Sequence, residues 1–117
     1  MPSDMSEISL EGRKFRAHQA GPGVVDEQTL FEYHQEGNLV WARYSGGDIR
    51  LGFLVGTREG DELNFRYTQL HVDGITANGF CSSHLHFLSG GRLHLIEMWT
   101  WESQPGSGRS YAEEVFK

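Results

Sequence analysis

The stretch "EGNLVWARYSGGDIRLGFLVGTREGDE", Glu36 to Glu62, decides the fold. Glycine-rich punctuation at Glu36-Gly37, Ser45 to Asp48 and Arg58 to Glu62 brackets two runs in which large apolar residues alternate with small or polar ones. A period of two is that of a half-buried strand, and turns this short join antiparallel neighbours. The same grammar continues outward through "VDGI" (Val72–Ile75) and "SGGR" (Ser89–Arg92). It predicts strands over 13–19, 29–35, 39–45, 48–57, 62–72, 75–87, 92–103 and 109–116. One long connection, "QAGPGVVDEQ", joins the first two, and "SQPGSGRS" joins the last two. Residues 1–11 read as a flexible N-terminal tail and 12–117 as one barrel domain. Successive hairpins in this number imply an all-β, eight-stranded antiparallel up-and-down barrel, since closure removes exposed edges. An open sandwich is the competing architecture.

Bulk properties narrow the function. The chain has 117 residues, 38% hydrophobic and 12% aromatic, enough for one core. Its formal charge of −6, with arginines scattered among segments, excludes a nucleic-acid partner of the usual basic kind. No apolar run is long enough to span a bilayer, and the N-terminus has no signal-peptide pattern, so a cytoplasmic protein without membrane association is expected. The lone Cys81 allows no internal disulfide.

Turn positions also predict which side chains share a face. Gly46-Gly47 as a two-residue turn sets Ala42 opposite Leu51 and Val40 opposite Phe53. A three-residue Glu59-Gly60-Asp61 loop sets Phe53 opposite Tyr67. Asp73-Gly74 sets Leu63 opposite His84, and Gly90-Gly91 sets His84 opposite Glu97. The predicted interior then runs through Phe31, Tyr33, Val40, Ala42, Tyr44, Ile49, Leu51, Phe53, Val55, Leu63, Phe65 and Tyr67. It continues through Gln69, His71, Asn78, Phe80, Ser82, His84, His86, Leu95, Glu97, Trp99 and Trp101. Cys81 and His94 point outward in this register. So do Leu54, Leu70, Val72, Ala77, Leu85, Phe87, Ile96 and Met98, whose clustering predicts a homodimer.

Two segments, "YHQEGNLVWARYSGGDIRLGFLVG" (Tyr33–Gly56) and "RLHLIEMWTWES" (Arg92–Ser103), carry a resemblance. They resemble a family of short bacterial proteins with an avidin-like, calycin-type barrel, whose members are often labelled N-acetylglutamate synthase. The resemblance runs from about Gly12 to Glu114 and implies the same barrel, without supplying a catalytic mechanism. Acetyl transfer from acetyl-CoA is not expected. It calls for a phosphate cradle, often a glycine loop opening a helix, whereas these glycines lie in hairpin turns.

Three chemistries are open to the predicted interior. His84 and His86 share a face and, with Glu97, make a two-histidine, one-carboxylate metal set. The plainer reading is hydrogen-bonded histidines with no metal and no cofactor. A His84–Glu97 pair beside Tyr67 and Ser82 suits proton transfer in a metal-independent isomerase, cyclase or lyase. The favoured function is binding of a small aromatic or amphipathic metabolite in an aromatic-lined pocket. Its walls are Tyr44, Phe53, Phe65, Tyr67, Gln69, Phe80, Ser82, Trp99 and Trp101, with Glu97 and His84 holding the polar end. A barrel whose rings simply fill the core is the remaining alternative.

Overall fold

The computed structural model describes residues 8–19 and 25–116. Eight strands follow one another around a closed antiparallel barrel, as the turn grammar predicts. They are β1 (Lys14–Gln19), β2 (Leu30–Glu36), β3 (Leu39–Gly46), β4 (Ile49–Glu59), β5 (Glu62–His71), β6 (Thr76–Phe87), β7 (Leu93–Trp101) and β8 (Ser107–Glu114). A 3-10 turn, Ser89–Gly91, joins β6 to β7. Closure comes from β1 pairing with β8, Phe15 opposite Glu114 and Ala17 opposite Ala112. Residues 20–24 of the long connection and residues 1–7 of the expected tail lie outside the described residues.

The tail expectation is corrected for the residues that are described. Leu10 is fully buried, Ile8 packs on the core, and the Leu10 amide donates to Gln35 Oε1 at 3.0 Å. Beside them Arg58 is buried and donates to the carbonyls of Gly60 and Ile8 and to Gln35 Oε1. A buried guanidinium is costly unless its donors are met, and here backbone and amide oxygens meet them. This cluster, with Phe15, Tyr33, Val40, Leu63, Leu85 and Leu93, stoppers one end of the barrel. Each such side chain taken from water stabilises the fold by roughly 1.5–3 kcal/mol.

Register is where the structure departs from expectation. The β3–β4 hairpin turns at Gly47-Asp48, Gly46 pairing with Ile49, and the ladder slips by one residue before Tyr44 meets Gly52. β4 also slips against β5 between Ile49 and Leu51, so the extra residue lies in β4 at Arg50–Leu51. This bulge reverses the faces of the rest of β4: Leu54 is buried, while Phe53 and Val55 are exposed. The next turn has two residues, Gly60-Asp61, not three, so β5 returns to its predicted faces. The β5–β6 turn is one residue longer than predicted, with Leu70 opposite Thr76, and β6 is reversed throughout. Asn78, Phe80, Ser82, His84 and His86 therefore face outward, and Ala77, Cys81, Ser83 and Leu85 face inward and are buried. His84 pairs with Ile96 and His86 with His94, which restores β7 to its predicted faces. The apolar patch expected outside loses Leu54, Ala77 and Leu85 to the core; Val72, Phe87 and Met98 remain exposed.

Candidate functional site

At the end opposite the stopper, an internal cavity of about 50 Å³ opens between the strands. β2 and β3 supply Phe31 and Tyr44, which stack at 4.4 Å. β4 and β5 supply Leu54, Phe65 and Tyr67; β7 supplies Glu97, Trp99 and Trp101; β8 supplies Ser110. Val25 reaches over from the segment before β2, and Trp101 sits edge-on to Tyr67 at 5.6 Å near the strand ends.

Why so many large rings leave a space is explained by glycines inside the strands. Tyr44 pairs across the sheet with Gly52, Phe65 with Gly56, Tyr67 with Gly79 and Trp99 with Gly108. A Cβ at Gly52 would lie 2.4 Å from the Tyr44 ring, one at Gly79 2.5 Å from the Tyr67 hydroxyl, and one at Gly108 2.6 Å from the Trp99 ring. Those rings occupy the space a neighbouring side chain would take, so they lie along the wall instead of meeting on the axis. Rings covering strand glycines recover the packing that glycine alone gives up.

Glu97 forms the polar floor. It is 6% exposed, between Leu95 and Trp99 on the inner face of β7, with Ser83 opposite on β6 and Ser110 opposite on β8. Ser110 Oγ donates to Glu97 Oε1 at 3.0 Å. Burial pushes the Glu97 carboxyl up to about 7, and the Ser110 hydrogen bond only partly offsets this. The hydroxyls of Tyr33 and Ser83 are buried without a hydrogen-bond partner. Burial, reinforced by the field of Glu97, raises Tyr33, Tyr44, Tyr67 and Cys81, so all four stay neutral near pH 7.

Of the residues expected to bind, the structure brings Tyr44, Phe65, Tyr67, Glu97, Trp99 and Trp101 together around the cavity. Gln69 stands behind Tyr44, accepting its hydroxyl proton at 2.8 Å while its amide nitrogen donates to His71 Nε2 at 3.0 Å. Phe53, Phe80, Ser82 and His84 are corrected to the outer wall by the β4 bulge and the longer β5–β6 turn. The expected His84–Glu97 pair is therefore not formed, and neither is the His84, His86, Glu97 set. Among the described residues no group of three or more His, Cys, Asp or Glu is arranged to hold a metal ion. Ser110, Phe31 and Leu54 line the cavity without having been among the expected site residues. The alternation of Ser110, Ala112 and Glu114 was a visible signal, but "SQPGSGRS" offers no unique turn from which to align β8 with β7.

A closed meander of eight strands with a stopper at one end and a polar-floored cavity at the other is an architecture that holds a small internal volume. The chain matches the family of avidin-like proteins over residues 8–115 and belongs to it. Comparison with curated proteins and with solved structures gave no match.

Proposed function

We propose that the barrel binds a small amphipathic or aromatic metabolite end-on, its polar head at Glu97 and its apolar part against Trp99, Trp101 and Tyr67. The observation that carries this reading is the pairing of an aromatic-walled cavity with the buried Glu97 carboxyl and Ser110 hydroxyl in its lining. A proton-transfer enzyme built on His84 has no support, because His84 is exposed on the far side of the wall.

Ligand-observed NMR against a set of small amphipathic fragments tests the proposal. Ser110→Leu extends a side chain into the cavity and should abolish every specific signal while the fold is retained. Fragments that bind the filled variant as well as the wild type would place binding elsewhere and defeat the reading.

Self-association belongs to the same proposal, relocated by the register. Trp41, Phe53 and Val55 are exposed neighbours on β3 and β4 and border an outer groove of about 620 Å³. A second copy packing on that wall is the homodimer we favour.

A further inference from the structure

We propose that the head group recognised at Glu97 is a small organic cation, a primary ammonium or amidinium carried on a slender stem. This rests on the end-on binding reading above and specifies its ligand.

The charge inventory of the cavity comes first. Its described lining contains one ionisable acid, Glu97, and no lysine, arginine or histidine. Across from Glu97, β2, β3, β5 and β6 present Tyr33, Tyr44, Tyr67 and Cys81, all held neutral by burial, and β8 presents Ser110. His71 is bonded to Gln69 behind Tyr44 and does not line the space. Arg58 lies in the stopper and Arg66 on the outer wall, over the Phe80 ring. A carboxylate with no cationic partner repels an anionic head and is left short of donors by a neutral one.

The walls point the same way. Aromatic faces attract a cation within about 6 Å of the ring centre, most strongly where water is excluded. Phe65, Tyr67, Trp99 and Trp101 all line the cavity around Glu97, so a cation held there stands among aromatic rings. An ammonium also offers several donors to Glu97 and to the Ser110 oxygen, the two polar groups of β7 and β8 in the lining. Size then limits the head. At about 10–15 Å³ per water-sized site, a cavity of about 50 Å³ admits a group of roughly four non-hydrogen atoms. The net charge of −6 favours the approach of a cation from solution.

Benzylammonium, benzyl alcohol and benzoate carry the same phenyl ring and differ in head charge, and titration calorimetry of all three tests the assignment. At pH 8 the wild type should prefer benzylammonium over benzyl alcohol by at least about tenfold, with benzoate undetected. Benzylammonium stays charged at pH 6, but Glu97, titrating near 7, does not; its affinity should fall about tenfold there, while benzyl alcohol is unmoved. Glu97→Gln should erase the preference at both pH values. Glu59→Gln, which removes an equal charge at the stoppered end, should keep it. Equal affinity for alcohol and ammonium at pH 8, or a preference that survives in Glu97→Gln, overturns the cation and leaves end-on binding standing. Silence of all three probes when other fragments bind overturns it too; silence with no fragment binding at all brings down both proposals.

Discussion

Glu97 shows what one residue costs and what it offers. In an unfolded chain its carboxyl ionises near 4.5; in the barrel it holds its proton until about pH 7. Between those values the folded state binds more protons than the unfolded one, so stability falls as pH rises and levels off above about 7. The stake is roughly 3 kcal/mol, from 1.36 kcal/mol per pH unit. Glu97→Gln should therefore match the wild type near pH 4.5 and exceed its stability by up to about 3 kcal/mol at pH 8. Paired denaturant titrations check this, since titration of the other carboxylates cancels in the difference. A variant less stable at pH 8 would mean that the carboxylate is better solvated than its burial implies. That Glu97 points inward was legible, because it alternates with Ile96 and Met98 on an apolar strand. Its partner was not. His84 and Ser83 differ by one position, and no propensity decides between them; the length of a turn does.

At the level of elements, the existence and order of all eight strands were legible from glycine punctuation. Their facing is legible only where turn length is fixed by the sequence or where two one-residue shifts cancel. The β4 bulge and the two-residue Gly60-Asp61 turn each shift register by one, so the two cancel and β5 keeps the faces its sequence predicts. β6 stands between two turns, each one residue longer than the sequence predicts, so its faces are reversed while β7 is back in phase. Gly52, Gly56, Gly79 and Gly108 held information that turn reasoning could not use, because they interrupt strands instead of ending them. Their role predicts that Gly108→Ala, whose methyl would lie 2.6 Å from Trp99, forces that ring toward the lumen. Such overpacking should cost about 1–3 kcal/mol. It should also shift tryptophan emission and weaken fragment binding, both read from one fluorescence titration. Unchanged emission and binding would mean that Trp99 is not seated on the glycine.

For the whole molecule, the stopper and the outer wall make separate demands. Leu10→Ala leaves a hole at the closed end and should lower stability by about 2–5 kcal/mol, measured by chemical denaturation. A loss below 1 kcal/mol would show that residues 8–11 contribute little to the barrel. Phe53→Glu places a charge in the exposed Trp41–Val55 patch; sedimentation should show dimers for the wild type and monomers for the variant, with melting behaviour kept at low concentration. Identical sedimentation of the two would dismiss that face as the contact.

The seam between β1 and β8 has a consequence for how the chain is threaded. Lys14 and Glu114 lie at one rim of the barrel, and Arg13 bridges to Glu114 at 2.7 Å. The meander is thus a ring cut at one of eight equivalent places, and the cut that biology made is not the only one the contacts permit. Joining the two ends with a short linker and opening the exposed Asp73-Gly74 turn would keep every strand neighbour, giving a circular permutant with the same barrel. In the natural order the closing pair unites segments nearly the whole chain apart, and the cost of closing so long a loop predicts that this seam forms late in folding. In the permutant that pair becomes local and the β5–β6 seam inherits the delay, so refolding rates of the two forms would time the closure of the ring.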